Sequence, residues 1–207
     1  MTDAEELGLP AHAFDKQDDG ADTAFYAPAR LVTHIDEGAI AALTALYAAL
    51  LKPGDRVLDL MSSWVSHLPD DVPLDVVGHG MNAQELAANP RLSRWFVQDL
   101  NDNPMLTEPD AAFDAVLICV GVQYLQRPLA VFRELRRVLR PGGVLIASYS
   151  NRCFPTKAVA VWCALDVEGQ AALITHYCDR AGFDQAEAIM LANGSTSDPL
   201  IAVTARA

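Results

Sequence analysis

The sequence predicts one doubly wound α/β domain: a seven-stranded, mostly parallel sheet with an antiparallel last strand and helices on both faces. Three observations carry this reading. Short apolar runs bounded by turn residues recur from residue 56 onward, as expected for strands buried on both faces. Helical patterns alternate with them, which imposes right-handed crossovers and parallel pairing. The last two runs are joined by Asn193-Gly194-Ser195-Thr196-Ser197-Asp198-Pro199 with no helix between them, so they turn back on each other as a hairpin.

A chain of 207 residues with 51% hydrophobic and 20% charged residues builds one substantial core and is short for two full domains. Residues 1–35 read as an acidic arm or cover segment on a domain of residues 36–207, and the first 24 lack sustained periodicity and read as a mobile arm able to order over the domain. Asp36 is placed to cap a helix that carries Ile40, Leu43, Leu46, Tyr47 and Leu50 on one face and stops at Lys52-Pro53-Gly54. Strands are expected at Arg56–Leu60, Leu74–Gly78, Trp95–Gln98 and Phe113–Val120, with Asn82 capping a short helix between the second and third. Pro128 opens a helix that turns Leu129, Phe132, Leu135, Val138 and Leu139 inward and Arg133, Arg136, Arg137 and Arg140 outward. Pro141-Gly142-Gly143 ends it ahead of a strand at Val144–Tyr149. A helix from near Pro155, and a longer one over 166–181 stopped by Gly182, precede the final strands at Phe183–Leu191 and Leu200–Arg206.

Charge narrows the partners. A formal net charge of -12 opposes phosphate backbones and anionic lipid, so no nucleic acid and no membrane is expected, and a small-molecule substrate is favoured. The N-terminus has neither the basic start nor the apolar run of a secretory signal, which predicts a cytoplasmic protein. Cys119, Cys153, Cys163 and Cys178 show no CxxC or Cys/His spacing, so free thiols and no metal are expected. An apolar face left open on the first helix or the last strand would suit a homodimer.

In such a sheet a ligand lies beyond the carboxyl ends of the central strands. The stretch FDAVLICV at 113–120, then Tyr124-Leu125, and above all LRRVLRPGGVLI at 135–146 resemble the fourth-to-fifth-strand segment of class I S-adenosylmethionine (SAM) dependent methyltransferases, in an uncharacterised branch near the type 11 group. The resemblance implies a single Rossmann-like methyltransferase domain, SAM as cofactor and methyl transfer to a small metabolite. It also assigns positions. Asp59 matches the acidic residue that ends the family's first strand. Where the family usually has glycines after that strand, this chain has Met61, Ser63 and Val65, in a turn that also carries Ser62 and Trp64 as cofactor-binding candidates. The carboxylate that holds the cofactor ribose has no counterpart in Val77–Asn82, which leaves Asn82 or His79 for that task. Asp99 and Leu100 match the pair whose side chain and backbone N–H hold the adenine edge. Cys119, which reads as core within its apolar run, joins the cofactor wall.

Methyl transfer from a sulfonium needs alignment and exclusion of water more than acid–base machinery. A nucleophile that carries a proton adds the need for an acceptor, and by position Tyr124 and His34 are the catalytic candidates. Tyr26, Asn151 and Arg152 are the substrate-binding candidates, with His67 a further one. Each has a plainer reading: Tyr124 as a packed ring, His34 as the residue orienting the helix start at Asp36, Arg152 as a surface ion pair, Asp99 as a turn residue. Trp64 admits two readings, an indole packed on the sulfonium of a rebuilt pocket in which the serines bind the SAM carboxylate, or a plug in a dead one. The altered turn keeps a second function open, a non-catalytic protein of this fold that binds another ligand or a partner chain. A nicotinamide-dependent oxidoreductase is a weaker third, because no GxGxxG follows the first strand.

Overall fold

The computed structural model describes residues 1–207. Its sheet consists of β1 (Arg56–Leu60), β2 (Asp75–Gly80), β3 (Arg94–Val97), β4 (Phe113–Cys119), β5 (Leu139–Ser150), β6 (Asp184–Ala192) and β7 (Leu200–Arg206), in the order β3-β2-β1-β4-β5-β7-β6. All neighbouring pairs are parallel except those of β7, which runs antiparallel to both β5 and β6. The helices are α1 (Asp3–Leu7), α2 (Asp22–Tyr26), α3 (Glu37–Leu50), α4 (Ala83–Ala88), α5 (Pro128–Val138), α6 (Ala160–Ala164) and α7 (Val167–Ala181).

Alternation along the strands builds two cores. Val57, Leu117 and Ile146 point to the α3 face, where they meet Ala39, Leu43 and Tyr47. Their neighbours Leu58, Val116 and Leu145 point to the opposite face, against α5 and α7, because successive side chains of a strand alternate sides. The caps expected from sequence form: Asp36 accepts from Ala39 N–H, Asn82 from Gln84 and Glu85 N–H, and Gly182 closes α7 in the left-handed region at φ 86°. β7 is paired along both edges and buried on both faces, so it presents no surface to a second copy.

Residues 1–24 are ordered over the domain, and two expectations about the elements are corrected. Asp3 accepts from the free N–H groups of Leu129 and Ala130 at the start of α5, Glu6 pairs with Arg133, and Lys16 bridges to Val159. The helix expected from Pro155 starts only at Ala160, because Lys157, 1% exposed, is drawn inward by ion pairs with Asp18 and Asp22 and by the Phe25 ring. β5 begins at Leu139 rather than Val144, across an irregular register at Phe113/Ala115. Gly143 permits this, since a Cβ there would lie 2.9 Å from the Arg140 carbonyl oxygen.

Candidate functional site

A cavity of about 680 Å³ opens above the carboxyl ends of β1, β2, β3 and β4 and is roofed by residues of the 22–36 segment, within the usual range of small-molecule sites. Its floor is the turn after β1. Met61 sits in the left-handed region at φ 58°, a conformation that a glycine adopts without cost and a methionine does not. Glycines occur instead opposite the turn. A Cβ on Gly80, at the end of β2, would lie 2.5 Å from the Ser62 carbonyl oxygen, and one on Gly121 would lie 3.0 Å from Met61 Cβ. Here the glycine requirement belongs to the neighbours, a relation that single-strand patterns do not reveal. Val120, beside Gly121, is also left-handed at φ 51°, an outlier for a β-branched residue that fixes how the chain leaves β4.

The serines expected to face a ligand serve the protein itself. Ser62 Oγ donates to Asp59 Oδ2 at 2.6 Å, Ser66 Oγ donates to the same oxygen, and Ser63 Oγ donates to Glu85 Oε2 at 2.7 Å. Burial pushes the Asp59 carboxyl up to about 6 against the pull of those hydroxyls. Trp64 is redirected too: its Nε1–H donates to the Val32 carbonyl at 3.0 Å, and its indole is not part of the cavity wall. Asn82 caps α4 and also donates through Nδ2 to the carbonyls of Tyr26 and Ala27. Glu85, which carries no signal in the sequence, accepts from Arg30 N–H at 2.7 Å. Trp64, Asn82 and Glu85 therefore hold the backbone of residues 26–32 over the cavity.

His79 is the strut beneath these groups. It is 1% exposed, accepts from Met61 N–H at Nδ1 and reaches the Gln98 carbonyl from Nε2 at 3.0 Å. The carbonyl has no proton to give, so Nε2 carries the hydrogen and the ring is neutral. Burial lowers its pKa to about 4. With both nitrogens engaged, His79 has no free nitrogen for a ribose.

The β3 and β4 side differs. Asp99 Oδ1 accepts from Asn101 N–H at 2.9 Å, forming the turn, and Oδ2 carries no protein hydrogen bond. The N–H of Leu100, a residue 4% exposed, has no acceptor within the protein, a condition that buried amides rarely tolerate without a ligand or water. Cys119 lines the cavity as a thiol pushed up to about 12 by burial. Tyr124 Oη accepts from Phe154 N–H at 2.9 Å, and burial pushes its pKa up to about 12, so it enters as a neutral phenol with a proton to give. Tyr26 faces the same space and is also held neutral by burial.

At the mouth, Arg152 Nε pairs with Asp198 at 3.0 Å while its remaining nitrogens stay open, and Asn151 lies beside it. The helix start is oriented by Asp36, not His34: Asp36 N–H donates to Asp198, and Asp198 N–H donates back to Asp36 at 2.6 Å. The His34 ring has no protein hydrogen bond and stands edge-on to Phe154 at 5.8 Å. Cys153, half-buried, has its thiol pushed up by burial and is not primed to react. No group of three or more His, Cys, Asp or Glu side chains gathers as a metal cage, and no helix is long and apolar enough to cross a membrane.

Comparison with known proteins agrees with this geometry. A family model described as a methyltransferase domain, the type 11 group, matches residues 71–147. A demethylmenaquinone methyltransferase of Beutenbergia cavernae is 34% identical over 99 residues, 47% of this chain and 41% of the relative, so the match spans less than half of that relative's length. Among solved structures, a chain from the complex of a methyltransferase with its activator from Haloferax volcanii superposes with TM-score 0.64 at 14% identity, over 83% of this chain and 90% of that one. A SAM-dependent methyltransferase from Archaeoglobus fulgidus superposes with TM-score 0.62 at 13% identity, over 80% and 92% of the two chains.

Proposed function

We propose that this chain, whose residues 71–147 match the methyltransferase-domain model and whose fold is shared with SAM-dependent methyltransferases, is a class I methyltransferase that binds SAM in this cavity and transfers its methyl group to a small molecule. The observation that carries the reading is the unpaired N–H of Leu100, a cavity-lining residue, beside the free Oδ2 of Asp99. An adenine edge, with one acceptor and one donor side by side, satisfies both. SAM supplies a methyl group already activated on a sulfonium, and the protein's part is binding, orientation and dryness.

Asp59 offers the cofactor ammonium its Oδ1, since protein hydrogen bonds reach only Oδ2. Ser62 and Ser63 act at one remove, by fixing Asp59 and Glu85. Met61 and Cys119 supply the apolar wall, Asn82 and Trp64 hold the roof, and Tyr26 and Tyr124 close the side. Arg152 and Asn151 meet the substrate at the mouth. A substrate with an ionisable nucleophile passes its proton to His34, while Tyr124 donates a hydrogen bond. The relative named above suggests quinol-like acceptors, and the site is compatible with a cytoplasmic enzyme.

A non-catalytic binding protein of the same fold is the second reading, favoured by one observation: Ser62, Ser63 and Asn82 are all engaged within the protein. Isothermal titration with SAM and S-adenosylhomocysteine separates the two. Micromolar binding that weakens in Asp99→Ala supports the enzyme, and absence of binding by the folded wild type rejects it.

A further inference from the structure

The cavity holds a second feature that the cofactor does not use. His34 and His67 both line it, they come from different segments, the 22–36 cover and the turn after β1, and neither ring makes a protein hydrogen bond, although each backbone is anchored on both sides. His34 lies between Val32, held by the Trp64 indole, and Asp36, locked to Asp198. His67 comes directly after Ser66, which is held by Asp59 and Asn89, and its own carbonyl accepts from Thr44 Oγ1 at 2.8 Å. Two rings positioned this firmly, with nitrogens left free toward a cavity, are prepared for a ligand rather than for the fold.

Their surroundings define that ligand. Burial lowers both imidazole pKa values, and His34 itself adds to the lowering at His67. Around His34 the charges oppose each other, Arg30 lowering its pKa and Glu85 raising it. Asp36, Asp198 and Arg152 are the other charged groups at this end of the cavity. A neutral imidazole offers one lone pair and one N–H, and a hydroxyl group, which both donates and accepts, complements it. The nearby wall is aromatic: Phe154 has the rings of Phe25, His34 and Tyr124 at 5.2, 5.8 and 6.1 Å, and flat ligands pack on such surfaces better than branched ones.

We propose that His34 and His67 form the binding end for a planar, hydroxyl-bearing aromatic acceptor, whose phenolic or enolic O–H donates to this imidazole pair. The chemical step after binding rests on the methyltransferase reading. In that step the O–H proton passes to an imidazole nitrogen as the electron pair of the acceptor forms the new bond to the methyl carbon. The S–CH3 bond breaks with its pair staying on sulfur, and the imidazolium returns its proton to solvent.

The test uses the full chain and equilibrium titration of 2-naphthol against naphthalene, with S-adenosylhomocysteine in parallel. 2-Naphthol is expected to bind at least about tenfold tighter than naphthalene, the discrimination that one buried hydrogen bond supplies. His34→Leu and His67→Leu are each expected to remove that preference while leaving the affinity for naphthalene and the thermal midpoint unchanged, and His67→Gln, which keeps an acceptor, to restore part of it. The preference is also expected to fade as falling pH protonates the rings. Equal binding of the two probes by the wild type, or a preference that survives either Leu variant, overturns the proposal. Loss of S-adenosylhomocysteine binding with the naphthol preference intact overturns the cofactor reading alone. S-adenosylhomocysteine binding without any naphthol preference overturns this inference alone.

Discussion

The two sides of the cavity use their polar atoms differently. At the ends of β1 and β2, Ser62, Ser63, Asn82 and both nitrogens of His79 are engaged by protein partners. At the end of β3, Leu100 N–H and Asp99 Oδ2 are free. One side thus spends its polar atoms on holding a roof, and the other leaves a donor and an acceptor without protein partners.

The sharpest way to break this comparison is by pH, because its buried side carries two opposed titrations. Asp59 is raised from 3.8 to about 6, so its burial costs stability as pH rises through that window. His79 is lowered from 6.5 to about 4, so stability is lost as pH falls through nearly the same window. Each shift is worth ~3 kcal/mol, and in the wild type they largely cancel. Asp59→Asn keeps an oxygen for the two serine hydroxyls and removes one titration. Its stability relative to wild type is expected to improve by ~3 kcal/mol between pH 4 and pH 7, read by urea unfolding at each pH. A flat difference would show that Asp59 is not the buried acid of this side.

Gly80→Ala tests the displaced glycine requirement. The added Cβ meets the Ser62 backbone oxygen at 2.5 Å, so β2 and the turn must separate, at a cost of roughly 1–3 kcal/mol in chemical unfolding. An unchanged midpoint would mean that the turn yields freely. Asp99→Ala addresses the free side and is expected to weaken SAM binding about tenfold to a hundredfold, with little change in thermal midpoint. A variant that binds as well as wild type would remove the ligand role of β3. The smallest effect is expected from Trp64→Phe, which loses the hydrogen bond to Val32 and keeps the ring. It should cost about 1 kcal/mol, seen as faster hydrogen exchange across residues 26–34 rather than as a direct loss of ligand contact.

How much of the fold and the site was legible in the chain depended on whether the signal was local. Asp36, Asn82 and Gly182 work at their own helix ends, so their roles could be read from neighbours within four residues. The alternation that sends Val57 and Leu58 to opposite cores is equally local. Trp64 and the serines were legible as unusual but not as to their task, because their partners Val32, Asp59 and Glu85 come from other elements. Glu85 gave no signal, being an ordinary charged residue in the first turn of a short helix.

By itself, then, the sequence determined the alternation of strands and helices, the antiparallel close and the end of the sheet at which the cavity opens, since periodicity, turn chemistry and crossover handedness act over short stretches of chain. Only the tertiary structure decided which polar atoms stay free, that glycines at 80 and 121 substitute for glycines in the turn, and that His34 and His67 face one cavity. Those outcomes depend on the distance between residues far apart in the chain, and that distance is fixed by packing.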